Sequence, residues 1–309
     1  MSARNNIFTR QIFAGPARLA AIAPYVWMVL FFLVPFGFVL KISLSQTVIA
    51  QPPYTPVFDF TAGMTALRQA FSALSIDNFR LLVSDDLYVL SYLRSLVVAL
   101  VSTSILLVIG YPIAYGMARL PKRWQAVAMM LVIVPFWTSF LIRIYAWINI
   151  LQHDGLLNQI LLALHLVSQP LVWLSTDSAM YLGIVYSYLP FMILPLYATL
   201  ARMEPALEEA AADLGASPRQ VFWLVTFPLS LPGVGAGVLL CFIPIVGEFV
   251  IPDLLAGSDS LMIGQTLWLE FFTNKDWPVA SATAVVLLVL LIAPLLAYDR
   301  LQRRQLETR

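Results

Sequence analysis

Charge is scarce in this chain. Asp, Glu, Lys and Arg make up 11% of its 309 residues, against roughly 25% in soluble domains. With so few ionised groups the chain cannot cover a water-exposed surface, and with 60% hydrophobic residues and a mean hydropathy of +0.83 it reads as membrane-embedded. No polar stretch is long enough to close a second core, so a single transmembrane domain is expected over 1–309.

Other scarcities exclude whole chemistries. The lone cysteine, Cys241, rules out an internal disulfide or a thiolate metal cluster, and within its apolar run it reads as a small buried hydrophobe. The two histidines, His153 and His165, form no HExxH pair, so no metal site is expected. The lysines are Lys41, Lys122 and Lys275, none preceded by glycine; a P-loop is therefore absent. No GxSxG elbow supports hydrolase chemistry. A net charge of +1 gives no reason to expect nucleic acid. The chain is expected to be no enzyme, to hold no catalytic residue and to bind no cofactor of its own.

What is present is length in apolar runs. A bilayer core takes about 20 apolar residues in a helix. Four stretches meet this without charge: 19–40, 95–118, 179–200 and 277–298. Two more, 126–150 and 231–251, each carry one ionisable residue, Arg143 and Glu248. The expectation is an all-α polytopic protein with six transmembrane helices. The first run is too long, and lacks the small-residue site, for a cleaved signal peptide. Pro112, Pro135, Pro190, Pro195 and Pro244 break backbone bonding within spans, which fits a transport path but also occurs in membrane helices without one.

Basic residues near span ends stay cytoplasmic. With the N-terminus inside, Arg4, Arg10, Arg18, Arg119, Lys122, Arg123, Arg202, Arg219, Arg300, Arg303, Arg304 and Arg309 are cytoplasmic, while Arg68, Arg80 and Lys275 lie outside and Lys41 and Arg94 sit at boundaries. Both termini are expected in the cytoplasm. Acids show the reverse bias, with Asp85, Asp86, Asp253, Asp259, Glu270 and Asp276 outside. Such a mouth would concentrate cations; equally, acids populate loops from which bases are excluded. In the long outer segment 43–92, Pro52, Pro53 and Pro56 keep the start extended. Beyond them Leu67, Phe71, Leu74, Phe79 and Leu82 recur near helical spacing, as in short surface helices.

Between spans four and five the segment 203–228 is punctuated as two short helices. Pro205 suits a first helical turn and Gly215 a left-handed cap. Ser217, Pro218 and Gln220 then open a second helix with a capping box. Leu207, Ala211 and Leu214 form a stripe, small Ala210 and Ala212 admit close approach, and Glu208, Glu209 and Asp213 add charge. Physically this is a docking element.

Glu209, Ala210, Ala211, then Gly215, and later Val225, Phe227 and Pro228, resemble the EAA coupling-loop signature of type I ABC importer permeases. Val225 and Phe227 stand where that family commonly has Ile and Leu. The resemblance implies a MetI-like permease fold and a hairpin, including Ser217 and Arg219, that couples to a separate ATPase holding ATP and magnesium. Further stretches, PFWTSFLIRIYAW (135–147), GIVYSYLPFMILPLYATL (183–200), VGEFVIPDLLAG (246–257) and NKDWPVASA (274–282), are similar to the PotB/PotH permeases of spermidine and putrescine importers, and KISLSQ with PPYTP lean toward PotH. What this implies is a bacterial inner-membrane subunit that works beside a second related permease, two ATPase subunits, a periplasmic polyamine-binding protein and the lipid bilayer.

A polyamine, an apolar chain with ammonium ends, is best held by aromatic faces and a few carboxylates. Glu248 is the main candidate, since intramembrane acids default to functional roles; its alternative is a structural pair with Arg143, itself a poor ligand for a cation. Trp137, Tyr145, Trp147, Tyr186, Tyr188 and Trp268 are candidate walls, or else interfacial anchors. Asp253, Glu270 and Asp276 are candidates for the mouth or for contact with the delivery protein. Three alternatives stay open: the same machine carrying spermidine or another small cation, an ion-coupled secondary transporter with Glu248 as carrier, and a non-transporting scaffold for ATPases.

Overall fold

Long apolar stretches must fold as helices where backbone groups find no water to bond, and the structure, a computed structural model, shows this. It describes residues 16–58, 63–257 and 260–307. Arg4, Arg10, Asp259 and Arg309, and the side chains of Arg18, Leu67, Arg303 and Arg304, lie outside the described set. Among the described residues five helices are long and apolar enough to cross a membrane: Ile22–Ser43, Asp86–Arg119, Asp177–Leu200, Pro218–Val246 and Trp277–Arg300. A bent pair, Lys122–Trp137 with Phe140–Ala163, supplies a sixth if counted as one span. The chain divides into two compact units, residues 1–84 with 270–286, and 85–269 with 287–309.

In the first unit, α1 (Pro16–Met28) passes through a π turn at Val29–Leu33 into α2 (Val34–Ser43). Its side chains Tyr25, Trp27 and Phe31 are exposed, as on a helix made for an apolar surrounding. The proline-rich segment then forms a short antiparallel ladder, β1 (Gln46–Thr47) with β2 (Tyr54–Thr55), Gln46 opposite Thr55. Lys41 ties it to α2: its ammonium donates to the Pro56 carbonyl and lies 4.2 Å from the Tyr54 ring centroid and 4.9 Å from that of Phe58. Two short helices follow, α3 (Gly63–Ser72) and α4 (Asp77–Ser84). The Asn78 amide fastens the second by donating to the carbonyls of Ser43 and Ser45, at 2.8 and 2.7 Å. In the same unit Thr47 donates to Asp276 at 2.6 Å and Trp277 stacks on Phe271 at 5.2 Å.

The second unit is built on α5 (Asp86–Arg119), α9 (Asp177–Leu200) and α12 (Phe227–Val246). In lipid, helices gain little from hiding apolar surface from one another and pack instead through small residues. A Cβ on Gly110 would lie 2.9 Å from Met192 Cγ and one on Gly237 2.8 Å from Met192 Sδ, so Met192 of α9 fills notches in both neighbours. Around it Leu106, Ile184, Leu196, Cys241 and Ile245 are fully buried.

Three elements depart from the sequence-based expectation. The second span begins at Asp86, where Asp85 caps the helix by accepting from the Leu87 amide at 2.9 Å. Arg94, inside that helix, pairs with Asp177 at 2.6 Å. The third span is not straight. Between α6 (Lys122–Ile133), its 3-10 turn (Val134–Trp137) and α7 (Phe140–Leu151) the path turns by 89°, because Pro135 removes an amide and Thr138 and Ser139 turn extended. After α7 comes α8 (Leu156–Ala163). Finally, the fifth span ends at Val246, so Glu248 lies outside any helix, in the break before α13 (Val250–Leu255). The helix α14 (Ile263–Trp268) follows, and α15 (Trp277–Glu307) closes the described chain.

Candidate functional sites: an exposed hairpin and a buried carboxylate

The hairpin folds as its punctuation predicts. Helix α10 (Pro205–Asp213) has Pro205 in its first turn and ends at Gly215, whose φ of +86° a Cβ would strain. The amides of Gly215 and Ala216 close the end on Ala212 (2.9 Å) and Ala211 (3.1 Å). At the start of α11 (Pro218–Val221), Gln220 Oε1 accepts from the Ser217 amide at 2.8 Å and from its hydroxyl at 2.9 Å. A π turn, Phe222–Thr226, joins α11 to α12.

Glu209, Ala210, Asp213, Leu214, Gly215, Ser217, Arg219 and Pro228 are exposed, Leu214 at 91%, and Ala211 is half-buried. A leucine this bare on a short, well-capped hairpin presents an apolar tip. Glu208 points the other way, a placement its sequence position does not disclose. One carboxylate oxygen receives the Arg119 guanidinium from the end of α5, the other the Thr226 hydroxyl at 2.7 Å. Burial pulls the Glu208 pKa up, but the hydrogen bonds from Arg119 and Thr226 and the guanidinium charge outweigh it and hold the carboxyl below its ordinary range. A cavity of about 310 Å³ lies here, lined by Arg119, Met203, Glu204, Glu208 and Thr226 among others.

The second site is Glu248, 9% exposed. Its Oε1 accepts from the amides of Phe249 (3.2 Å), Val250 (3.1 Å) and Ile251 (3.5 Å), so the side chain caps the helix that follows it. Its Oε2 accepts from the Tyr188 hydroxyl at 2.5 Å. The next residue, Phe249, stacks on Trp268 with centroids 4.9 Å apart and planes at 12°. The structure thus gathers Glu248, Tyr188 and Trp268, and adds Phe249, which the sequence does not single out because an apolar side chain in an apolar run carries no signal.

The remaining candidates scatter. Trp147 packs edge-on against Tyr186 at 5.3 Å. Trp137, Tyr145 and Asp253 are exposed. Glu270 belongs to the first unit, where it accepts from Asn274 at 2.9 Å. The alternative pairing of Glu248 with Arg143 is not what the structure shows. Arg143 lies over the rings of Phe136 (4.8 Å) and Phe140 (5.9 Å), and its Nε and Nη1 are buried with no hydrogen-bond partner among the described residues.

Membrane-length helices, one ending just before a buried carboxylate, together with an exposed two-helix hairpin are the features of a polytopic membrane protein. The chain belongs to the family of binding-protein-dependent transport system inner membrane components, whose model matches residues 107–306. The spermidine/putrescine transport system permease protein PotB of Salmonella typhimurium (strain SL1344) is 41% identical over 229 residues, 74% of this chain and 79% of that protein. The inner membrane ABC transporter permease protein YdcU of Escherichia coli (strain K12) is 33% identical over 92% of this chain and 88% of its own length. A crystal structure of a bacterial alginate ABC transporter, in complex with an alginate pentasaccharide-bound periplasmic protein, shares the fold at a TM-score of 0.69 and 16% identity, covering 96% of each chain. This chain is therefore a permease subunit of an ABC importer, resident in the inner membrane.

Proposed function

We propose that this permease carries a polyamine, putrescine in the first instance, along a path that passes Glu248. The observation that carries the reading is a buried carboxylate at a helix break, bonded by Tyr188 and flanked by the Phe249–Trp268 stack. Such an arrangement offers one anionic point and aromatic faces to an ammonium with an apolar chain. The 41% identity to a spermidine/putrescine permease supports the substrate class. It equally supports spermidine, which is the second reading.

In this reading both termini and the hairpin 203–228 face the cytoplasm, where Glu209, Ala210, Ala211 and Leu214 meet an ATPase subunit that binds ATP and magnesium. A second related permease completes the pathway. A periplasmic protein delivers the substrate, a role in keeping with the pentasaccharide-bound periplasmic protein that accompanies the alginate transporter. Closure of two ATPase subunits moves each hairpin as a rigid body, and the broken spans reopen the path to the other side. Asp253 and Glu270 belong to the outer mouth. Trp137, Tyr145, Trp147 and Tyr186 remain walls or anchors.

The test is uptake of labelled putrescine into proteoliposomes holding the chain with its partner subunits, with and without internal ATP, in wild type and Glu248→Gln. Glutamine keeps an oxygen for the helix cap and puts an NH2 where Oε2 faces Tyr188, so the charge is lost and that contact survives only with the phenol accepting. ATP-dependent uptake that collapses in the variant supports machine and site together, whereas uptake that ignores ATP and follows an ion gradient overturns the importer reading for a secondary transporter. Competition by unlabelled spermidine ranks the two polyamines.

A further inference from the structure

We infer that Arg119, Glu208 and Thr226 form a latch that carries hairpin movement into the spans, a positioning role that rests on the coupling function proposed above. The hairpin reaches α12 through the π turn Phe222–Thr226. A π turn interrupts the regular bonding ladder of a helix, is frequent at functional sites and is one of the few places where helices kink. If it were the only link, a push on α10 would be absorbed there.

Glu208 spans this soft element. From the first turn of α10 its carboxylate reaches Thr226, the last residue of the π turn, at 2.7 Å. The other oxygen takes the Arg119 guanidinium, 89 residues earlier in the chain and in the last turn of α5. Arg119 is held in place by the Tyr115 ring, 3.8 Å from its guanidinium carbon. On the far side of the turn, Tyr111 bonds Ser230 at 2.9 Å and packs on Phe222 and Phe227. One carboxylate therefore joins the hairpin, the end of span two and the start of span five. Because both of its oxygens are used, displacing α10 without α5 and α12 leaves the partly buried Glu208 carboxylate without its donors.

The test uses the full chain, assembled with its partner subunits, in wild type, Arg119→Gln, Glu208→Gln, the double variant and the conservative Arg119→Lys. Two quantities are measured. One is putrescine taken up per ATP hydrolysed. The other is the distribution of distances between nitroxides at Leu214→Cys and Trp124→Cys, for which Cys241, fully buried, stays unlabelled.

A latch predicts that each glutamine variant lowers uptake per ATP about tenfold, the factor matching a lost interaction of about 1.4 kcal/mol. Each should also broaden the distances, with the double variant no worse than either single and Arg119→Lys close to wild type. Broadened distances with unchanged coupling make the contact merely structural and overturn the inference, as do variants indistinguishable from wild type in both measurements. A wild type without ATP-driven uptake fails the coupling function itself, and the latch falls with it; wild-type coupling with fully coupled variants sinks the latch alone.

Discussion

The Tyr188 hydroxyl donates to Glu248 at 2.5 Å while the other carboxylate oxygen of Glu248 caps the helix that follows. One side chain thereby both shapes the break after span five and places a carboxyl group beside α9. Tyr188→Phe removes the donor and leaves that oxygen to find another, at a cost of about 1–3 kcal/mol for an unsatisfied buried acceptor. We expect a lower unfolding temperature in detergent for Tyr188→Phe, and a smaller change for Glu248→Gln, which preserves a capping oxygen. Uptake should respond in the opposite order, falling more in Glu248→Gln, because charge rather than packing is lost. A larger uptake defect in Tyr188→Phe than in Glu248→Gln counts against the charge.

Gly215 has φ of +86° with open space around where a Cβ would stand, so substitution there is strained by backbone conformation alone. Gly215→Val should distort the hairpin end at about 1–2 kcal/mol and uncouple hydrolysis from uptake. Gly215→Asn, which visits the left-handed region more easily, should retain most coupling. Parallel uptake and ATPase rates on both variants check this, and equal behaviour of the two refutes the conformational account.

The carboxyl of Glu208 is held below its ordinary value of 4.5. A depressed acid stabilises the fold fully above its unfolded pKa, and the contribution fades as pH falls through the folded one. Protection of amides in 205–226 from hydrogen exchange, after correction for the intrinsic rate, should be flat from neutral pH down to about 4.5 and decline below it. In Glu208→Gln the decline should vanish. An acid-induced loss that persists in the variant assigns it to another group.

Asn158, 1% exposed, donates its amide to the carbonyls of His153 (3.0 Å) and Leu171 (2.8 Å) and accepts from the Leu171 amide (3.0 Å) and the Trp173 indole (3.1 Å). Asn158→Ala orphans several buried groups at about 1–3 kcal/mol each. We expect a marked drop in unfolding temperature, with early proteolysis confined to residues 152–176. Wild-type stability in that variant contradicts the role of the knot.

The sequence by itself determined the helices and the hairpin, because both obey local rules. Membrane-length apolar runs have no alternative to helix, and Pro205, Gly215, Ser217 and Gln220 act within a few residues of themselves. The family was legible for the same reason, carried by short contiguous motifs. Tertiary structure decided where side chains turn and whom they meet. Nothing near Glu208 announces Arg119, and nothing in the run 231–251 shows that the helix stops at Val246 and that the carboxylate of Glu248 folds onto its own following amides. Arg143 reads as a natural partner for Glu248, yet it lies over the rings of Phe136 and Phe140, which flank the 89° bend of the third span. Such choices depend on packing between segments far apart in the chain, where a small rotation of one helix exchanges one partner for another. Local propensity does not contain that information.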